Sequence, residues 1–306
     1  MKNIIKRIIG AIPVLIGVVL VIFIMLRIIP GDPVTTMLGE HVNEKVIAKI
    51  TKEMQLDQPL YIQFFRYIGN ALRGDFGTSY SYNRSVTGLL LEAFPNTVKL
   101  AVLGAIFAWV IGIISGIIAA VKQNKLLDHL FMGTALIGLS MPVFMTALFL
   151  QYLLAYKFQV FPLSGMENFK YYVLPAIALG WNSAGSIARM TRSNLLEAMQ
   201  EDYISTARAK GCGNVGTIVF HALRNSMLPV VTMMALQLSS MLSGAVITES
   251  VFGIAGIGQL AVNAIGSRDM PLLQGTVIFT TFIVIVGNLI ADSLYSALDP
   301  RIRKGA

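Results

Sequence analysis

Glu201-Asp202-Tyr203-Ile204-Ser205-Thr206-Ala207-Arg208-Ala209-Lys210-Gly211, followed nine residues later by His221-Ala222-Leu223-Arg224-Asn225, is a polar island between two apolar runs. Its charges change sign along the chain, from Arg189 and Arg192 to Glu197, Glu201 and Asp202. The pattern predicts a helix over 189–205 that leaves an apolar run and continues into water. Gly211, Gly213 and Gly216 interrupt it, and a second short helix leads into Pro229 and the next apolar run. A short helix, a glycine turn and a returning helix suit either an amphipathic linker or a surface on which a partner docks and transmits motion.

Outward from this island the chain is apolar. Of its 306 residues 55% are hydrophobic and 13% charged, about half the charged fraction of a soluble domain. A bilayer-crossing helix needs about 20 mostly apolar residues. Stretches 8–29, 97–121, 130–156, 172–188, 227–247 and 274–298 approach or exceed that length. The fourth is the shortest and contains Pro175 and Gly180, both tolerated in spans. The expected fold class is therefore an all-α membrane protein with six transmembrane helices. The first stretch follows Lys2, Lys6 and Arg7 but is too long for a signal-peptide core. It ends in Ile29-Pro30-Gly31-Asp32-Pro33 and reads as an uncleaved span.

Six spans place both termini on one side. The short loops on the opposite side carry only Lys157, Lys170 and Arg268, whereas Lys122, Lys125, Arg189, Arg192, Arg208, Lys210 and Arg224 fall on the side of the termini. Basic short loops mark the cytoplasm, so both termini are expected there. The same loops account for the net charge of +8 without nucleic acid. The organisation is then 1–29 (tail and first span), 30–96 (an extracytoplasmic loop region) and 97–306 (five spans, with the inner loop 189–226). Within 30–96, helices are expected over 40–55 and 61–72, and Tyr61, Phe64, Phe65, Tyr67, Phe76 and Tyr80 suggest a segment at the membrane surface. Gly112 and Gly116 in the second span, and Ser239, Ser240, Ser243 and Gly244 in the fifth, would let helices approach closely.

Catalytic patterns are missing. There is no Gly-Lys dipeptide, hence no phosphate loop of the Gly-x-x-x-x-Gly-Lys type. His41, His129 and His221 are scattered, and Cys212 is alone, which excludes an internal disulfide and a cysteine-based metal site. Gly256, Gly258 and Ala261 match a dinucleotide fingerprint outside any βαβ context. No cofactor and no metal are expected. The polar residues in or near spans are Glu249, Asn288 and Asp292, the last two one helical turn apart. They suit hydrogen bonds within a bundle or a place on a translocation path. On these grounds alone an ATP-driven permease, a secondary carrier, a passive pore or scaffold and a membrane enzyme all stay open.

Thr206-Ala207-x-x-x-Gly211 with His221-Ala222-Leu223-Arg224-Asn225 resembles the loop signature of the membrane permeases of ATP-binding-cassette importers. Asp202-Tyr203-Ile204-x-Thr206-Ala207-Arg208-Ala209-Lys210-Gly211 and His221-x-Leu223-Arg224-Asn225-x-x-x-Pro229-Val230 are more closely similar to the peptide/nickel permeases, of the first-subunit type. Further matches are Pro30-Gly31-Asp32-Pro33, Leu56-Asp57-Gln58-Pro59-Leu60, Gly74-Asp75-Phe76-Gly77, Ser140-Met141-Pro142, Glu249-x-x-Phe252 with Gly256-Ile257-Gly258, Arg268-Asp269-x-Pro271 and Asp299-Pro300-Arg301. The chain departs from the family where Ile254-Ala255 stands in place of the usual Trp-Pro. Ser205 occupies the acidic first position of the general importer signature, as is usual in this subfamily.

The resemblance implies a type I importer permease fold in a bacterial inner membrane, non-catalytic and without cofactor. It implies four kinds of partner: a second, related permease, two cytoplasmic ATP-binding subunits, an extracytoplasmic substrate-binding protein and membrane lipid. Asp202, Tyr203, Thr206, Ala207, Arg208 and Gly211 would form the surface coupled to the ATPases, and His221, Arg224 and Asn225 would support the returning helix. The cargo would be short peptides, glutathione, nickel or a metal chelate.

Overall fold

The computed structural model describes the backbone of residues 2–28, 58–243 and 245–298, and the side chains of residues 10, 13–25, 58–243 and 245–291. Regular elements among them are helices: α1 (Lys2–Ile28), α2 (Leu60–Ala71), α3 (Val86–Val121), α4 (Leu126–Ser140), α5 (Val143–Lys157), α6 (Lys170–Ala198), α7 (Asp202–Ala209), α8 (Asn214–Leu242), α9 (Val246–Phe252), α10 (Ile257–Gly266) and α11 (Met270–Leu298). α5 ends in a wide π-helical turn over Gln151–Lys157, and α8 contains another over Thr217–Leu223. The chain divides into two compact units: Met1–Thr97 with Ala255–Ile285, and Val98–Ile254 with Val286–Ala306.

The larger unit is arranged around α6. Apolar side chains gain little by leaving lipid for protein, so helices in a membrane are held by close packing and hydrogen bonds. α6 is built for the first: Ala176, Ala178, Gly180, Ala184, Gly185 and Ala188 are all buried. A Cβ on Gly116 of α3 would lie 2.6 Å from the Ala188 carbonyl oxygen, and one on Gly180 would lie 2.5 Å from that of Gly104. On the α4 side a Cβ on Gly185 would lie 2.6 Å from the Ala135 carbonyl oxygen. The close approach expected at Gly112 and Gly116 is met, with α6 as the neighbour. Ser239 likewise lies against Gly287, and Gly244 lies outside the described residues.

The stretch 130–156, expected as one span, is broken in the middle: α4 and α5 meet at 110°. Pro142 is the cause. It has no N–H for the Gly138 carbonyl, and it forces Met141 out of helical geometry, to φ −81 and ψ 128. The Asn182 amide of α6 donates to the freed carbonyls of Gly138 and Leu139, at 3.3 Å each, which satisfies groups that lipid could not. Other boundaries move as well. α3 begins at Val86, α6 ends at Ala198 short of the expected 205, and α8 ends at Leu242.

Among the described residues, three helical stretches can cross a membrane by length and composition: α3, α8 and Met270–Ala291 of α11. The figure rises to at most five if two bent pairs each count as one span. Of the first expected span, 8–29, the stretch Pro13–Met25 falls within the described side chains and is an apolar helix. α6 falls short because Asn182, Arg189, Arg192 and Asn194 dilute its apolar residues.

In the smaller unit, the start of α3 packs on α10 and α11 through Val86, Leu89, Leu90, Ala93, Ile257, Ala264 and Leu272. Phe94 and Phe279 meet edge to face at 5.3 Å. Buried Asp269 organises one end: it accepts from Ser79 Oγ at 2.5 Å, from the Ser81 N–H at 3.0 Å and, as N-cap of α11, from the Leu272 N–H at 3.1 Å. α2 fulfils the helix expected over 61–72. The expected helix 40–55 lies outside the described residues.

Two outcomes follow from this packing. Gly116→Val forces its side chain into the α6 backbone and is expected to destabilise the protein by about 1–3 kcal/mol, read as a lower thermal midpoint in mild detergent. Asp269→Ala removes a cap and two loop hydrogen bonds at once and is expected to cost about 2 kcal/mol. Faster proteolysis at 76–85 before global unfolding would be its signature.

Candidate functional site

α7 is a short helix standing on two buried side chains. Ile204 is 1% exposed and sits in a cluster with Ala120 of α3, Leu195 and Ala198 of α6 and Ala222 of α8. Ala207, one turn on, is also buried. Asp202, Tyr203, Ser205, Thr206 and Arg208 all face outward. Of the six residues expected to form the coupled surface, the structure therefore brings Asp202, Tyr203, Thr206 and Arg208 together outside, while Ala207 is turned to the bundle. Asp202 lies in the first turn and Arg208 in the last, so each charge complements the helix dipole.

The ends of α7 are sharply made. The helix expected to run unbroken from 189 to 205 stops at Ala198 and restarts after Glu201, whose backbone is extended at φ −72 and ψ 148. At the other end the Gly211 N–H donates to the Arg208 carbonyl and the Cys212 N–H to the Ala207 carbonyl. This pair is a Schellman closure, which places its turning residue in the left-handed region. Gly211 holds φ +85. Nothing lies within 4 Å of where its Cβ would be, so the need for glycine here is conformational and not steric.

Arg224 and Asn225 are exposed and His221 is half-buried. Ala222 and Leu223 make the packing contact, and buried Thr217 donates to the Gly213 carbonyl at 3.1 Å. The π turn over Thr217–Leu223, which no sequence signal marked, sets which of these residues face inward.

Glu249 of α9 is fully buried and Asn288 of α11 is exposed. The Asp292 side chain lies outside the described residues. Among the described residues no group of three or more His, Cys, Asp or Glu could hold a metal ion. The dinucleotide-like Gly256-x-Gly258 opens α10, whose Ile257 N–H is already taken by Thr97 Oγ1 at 2.9 Å.

Sequence reading missed an ion pair. Asp128 at the start of α4 accepts from Arg192 Nε and Nη2 of α6, both at 2.7 Å, and from the Asn124 N–H at 2.9 Å. The acid is 2% exposed. Its position three residues into α4 was the available signal, since acids there commonly reach back to cap the helix.

Two family models cover nearly the whole chain: the N-terminal part of the binding-protein-dependent transport system membrane component over residues 1–101, and the inner membrane component itself over 112–304. The chain is 38% identical over 303 residues, 99% of each partner, to the glutathione transport system permease protein GsiC of Salmonella paratyphi A and to that of Escherichia coli K12. Among solved structures it resembles the MetNI methionine ABC transporter in an inward-facing conformation, at TM-score 0.59 and 17% identity over 69% of this chain and 96% of that one. An amino acid ABC transporter matches at TM-score 0.52 and 20% identity over 70% and 94%. These two likenesses show the fold. The chain belongs to the binding-protein-dependent transport system inner membrane component family: it is a multi-pass, non-catalytic permease subunit of a bacterial inner-membrane ABC importer, a family that works with an ATPase and a substrate-binding protein.

Proposed function

We propose that α7 is the surface through which ATP hydrolysis drives this permease, and that the cargo is a small peptide of the glutathione kind. The observation that carries the first part is the construction of α7. A charged outer face rides on Ile204, which is buried in one cluster with residues of α3, α6 and α8, so a push on α7 bears on the point where three helices pack together. Asp202, Tyr203, Thr206 and Arg208 make the contact, Ala207 anchors it, and Gly211 fixes its angle. His221, Arg224 and Asn225 flank it on the returning helix. Glu249, Asn288 and Asp292 are left as polar positions of the bundle.

In this reading the permease pairs with a second, related permease, so that the two enclose one path. Two ATP-binding subunits lie on the α7 side, which also holds both termini, and a substrate-binding protein delivers cargo at the other side, near the region 30–96. Alternating access moves the cargo. The glutathione permeases that match this chain end to end favour a peptide over nickel or a metal chelate.

The test is ATP-driven uptake by the assembled transporter in vesicles. Arg208→Glu changes an exposed charge without touching the packing and should leave membrane insertion normal. Like-charge contacts at an interface cost several kcal/mol, so uptake should fall tenfold or more, where tenfold equals about 1.4 kcal/mol. Gly211→Val strains the turn by about 1–2 kcal/mol and should uncouple as well. Full uptake by both variants, with normal insertion, would overturn the assignment of α7.

A further inference from the structure

A cavity of about 530 Å3 lies between α4, α6 and α8. Its volume is on the scale of sites for small ligands, about 300–1,000 Å3. One wall is cationic and hydroxylated: Arg189, Arg192, Ser186 and Ser193, all on α6. The rest of the lining is apolar and mostly thioether: Met132 and Leu139 of α4, Met233 of α8 and Met190 of α6.

The charges do not cancel. Asp128 takes two donors of Arg192 and is itself covered, which neutralises that guanidinium and fixes its plane. Arg189, one turn earlier on the same face, is exposed and has no ion-pair partner among the described residues. The lining thus carries one uncompensated positive charge beside a second, oriented guanidinium edge. Such a pair repels a bare metal cation and suits a carboxylate, which guanidinium binds by charge-assisted, often bidentate hydrogen bonds. Methionine walls have no fixed shape and accept side chains of different outline.

We propose that this cavity is a cargo site inside the permease, in which Arg189, beside the Asp128-held Arg192, receives a carboxylate of a small peptide while Met132, Met190 and Met233 cover its side chains. The site rests on the reading of the cargo as a peptide. It adds a point of selection within the membrane subunit, by charge more than by side-chain identity.

The experiment is cysteine protection in the assembled transporter without ATP. Cys212, the one cysteine and exposed, is replaced by Cys212→Ser, and Ser193→Cys reports the cavity through its rate of maleimide labelling. Met132→Cys is the second reporter should the first fail to assemble. The probes are S-methylglutathione, whose thiol is blocked, and its dimethyl ester. With the acid at about ten times its Kd, about a tenth of sites stay free, so labelling should slow about tenfold. The ester should protect far less, Arg189→Gln should abolish protection, and Arg189→Lys should retain part of it. Equal protection by acid and ester, no protection by either, or protection that survives Arg189→Gln would overturn the proposal. So would labelling that slows with the phosphatidylglycerol content of the vesicles and ignores the peptide, which would assign the cavity to a lipid phosphate. Because no ATP is used, failure here is distinct from failure of the α7 reading, which is scored by uptake alone.

Discussion

A methyl group at Gly116 would lie 2.6 Å from the carbonyl oxygen of Ala188, and one at Gly185 would lie as near that of Ala135. Both distances are far below van der Waals contact, so α6 meets α3 on one side and α4 on the other backbone to backbone. Close contact of this kind is what lipid rewards, because tails are as apolar as the side chains they would replace. The rest of the larger unit depends on it. Only at that separation does Asn182 reach the carbonyls that Pro142 leaves bare, and only there does Arg192 reach Asp128 in a bidentate fork. A buried pair is weak evidence for added stability, since desolvation offsets much of its attraction. Here its effect is positional: it fixes the register of α4 along α6.

The fold class was legible because it rests on composition and on run length, which need no neighbours. The Gly112 and Gly116 pair was legible for the same reason. Gly138, Gly180 and Gly185 were not, since their need for glycine comes from residues elsewhere in the chain, such as Trp181, Gly104 and Ala135. The start of α3 was misplaced because Glu92, Pro95, Asn96 and Thr97 look like a loop, yet Asn96 and Thr97 hold the Ala255 carbonyl and the Ile257 N–H. Met141-Pro142 was visible as a motif, but a proline shows only that a hydrogen bond is lost, not that the chain bends by 110°. The outward face of α7 was read from its polar residues. The inward turn of Ala207 needed the helix to begin at Asp202, and the helix ran on from 189 in the sequence reading.

The Asp128–Arg192 pair was the largest omission, and its cause is general. The two residues are far apart in the chain, and each alone resembles a charge at the end of a span. Their pairing is what leaves Arg189 as the unbalanced cation of the α6 face. An electrostatic reading of a membrane protein therefore depends on which charges are matched, more than on how many there are.

The contacts around α6 also differ in kind, and this decides what can move. α3 and α4 touch it through glycine and carbonyl, where a shift of a few tenths of an ångström already makes a clash. α8 meets it through its own Met227, Met233 and Met234 and through Met190 of α6, around Ala184, Ile187 and Val230, and methionines refill a gap by changing rotamer. α4 is also pinned near both its ends, at Asp128 and at Gly138. The α3–α6–α4 layer is then the rigid part and the α6–α8 seam the compliant one. α7 sits across this difference, since Ile204 is buried in one cluster with Ala120, Leu195 and Ala198 of the rigid layer and Ala222 of α8. A displacement of α7 is taken up where resistance is least, along the methionine seam. That seam supplies Met190 and Met233 to the cavity beside Arg189, so, on the proposed roles of α7 and of the cavity, coupling to ATP and the volume offered to cargo would change together.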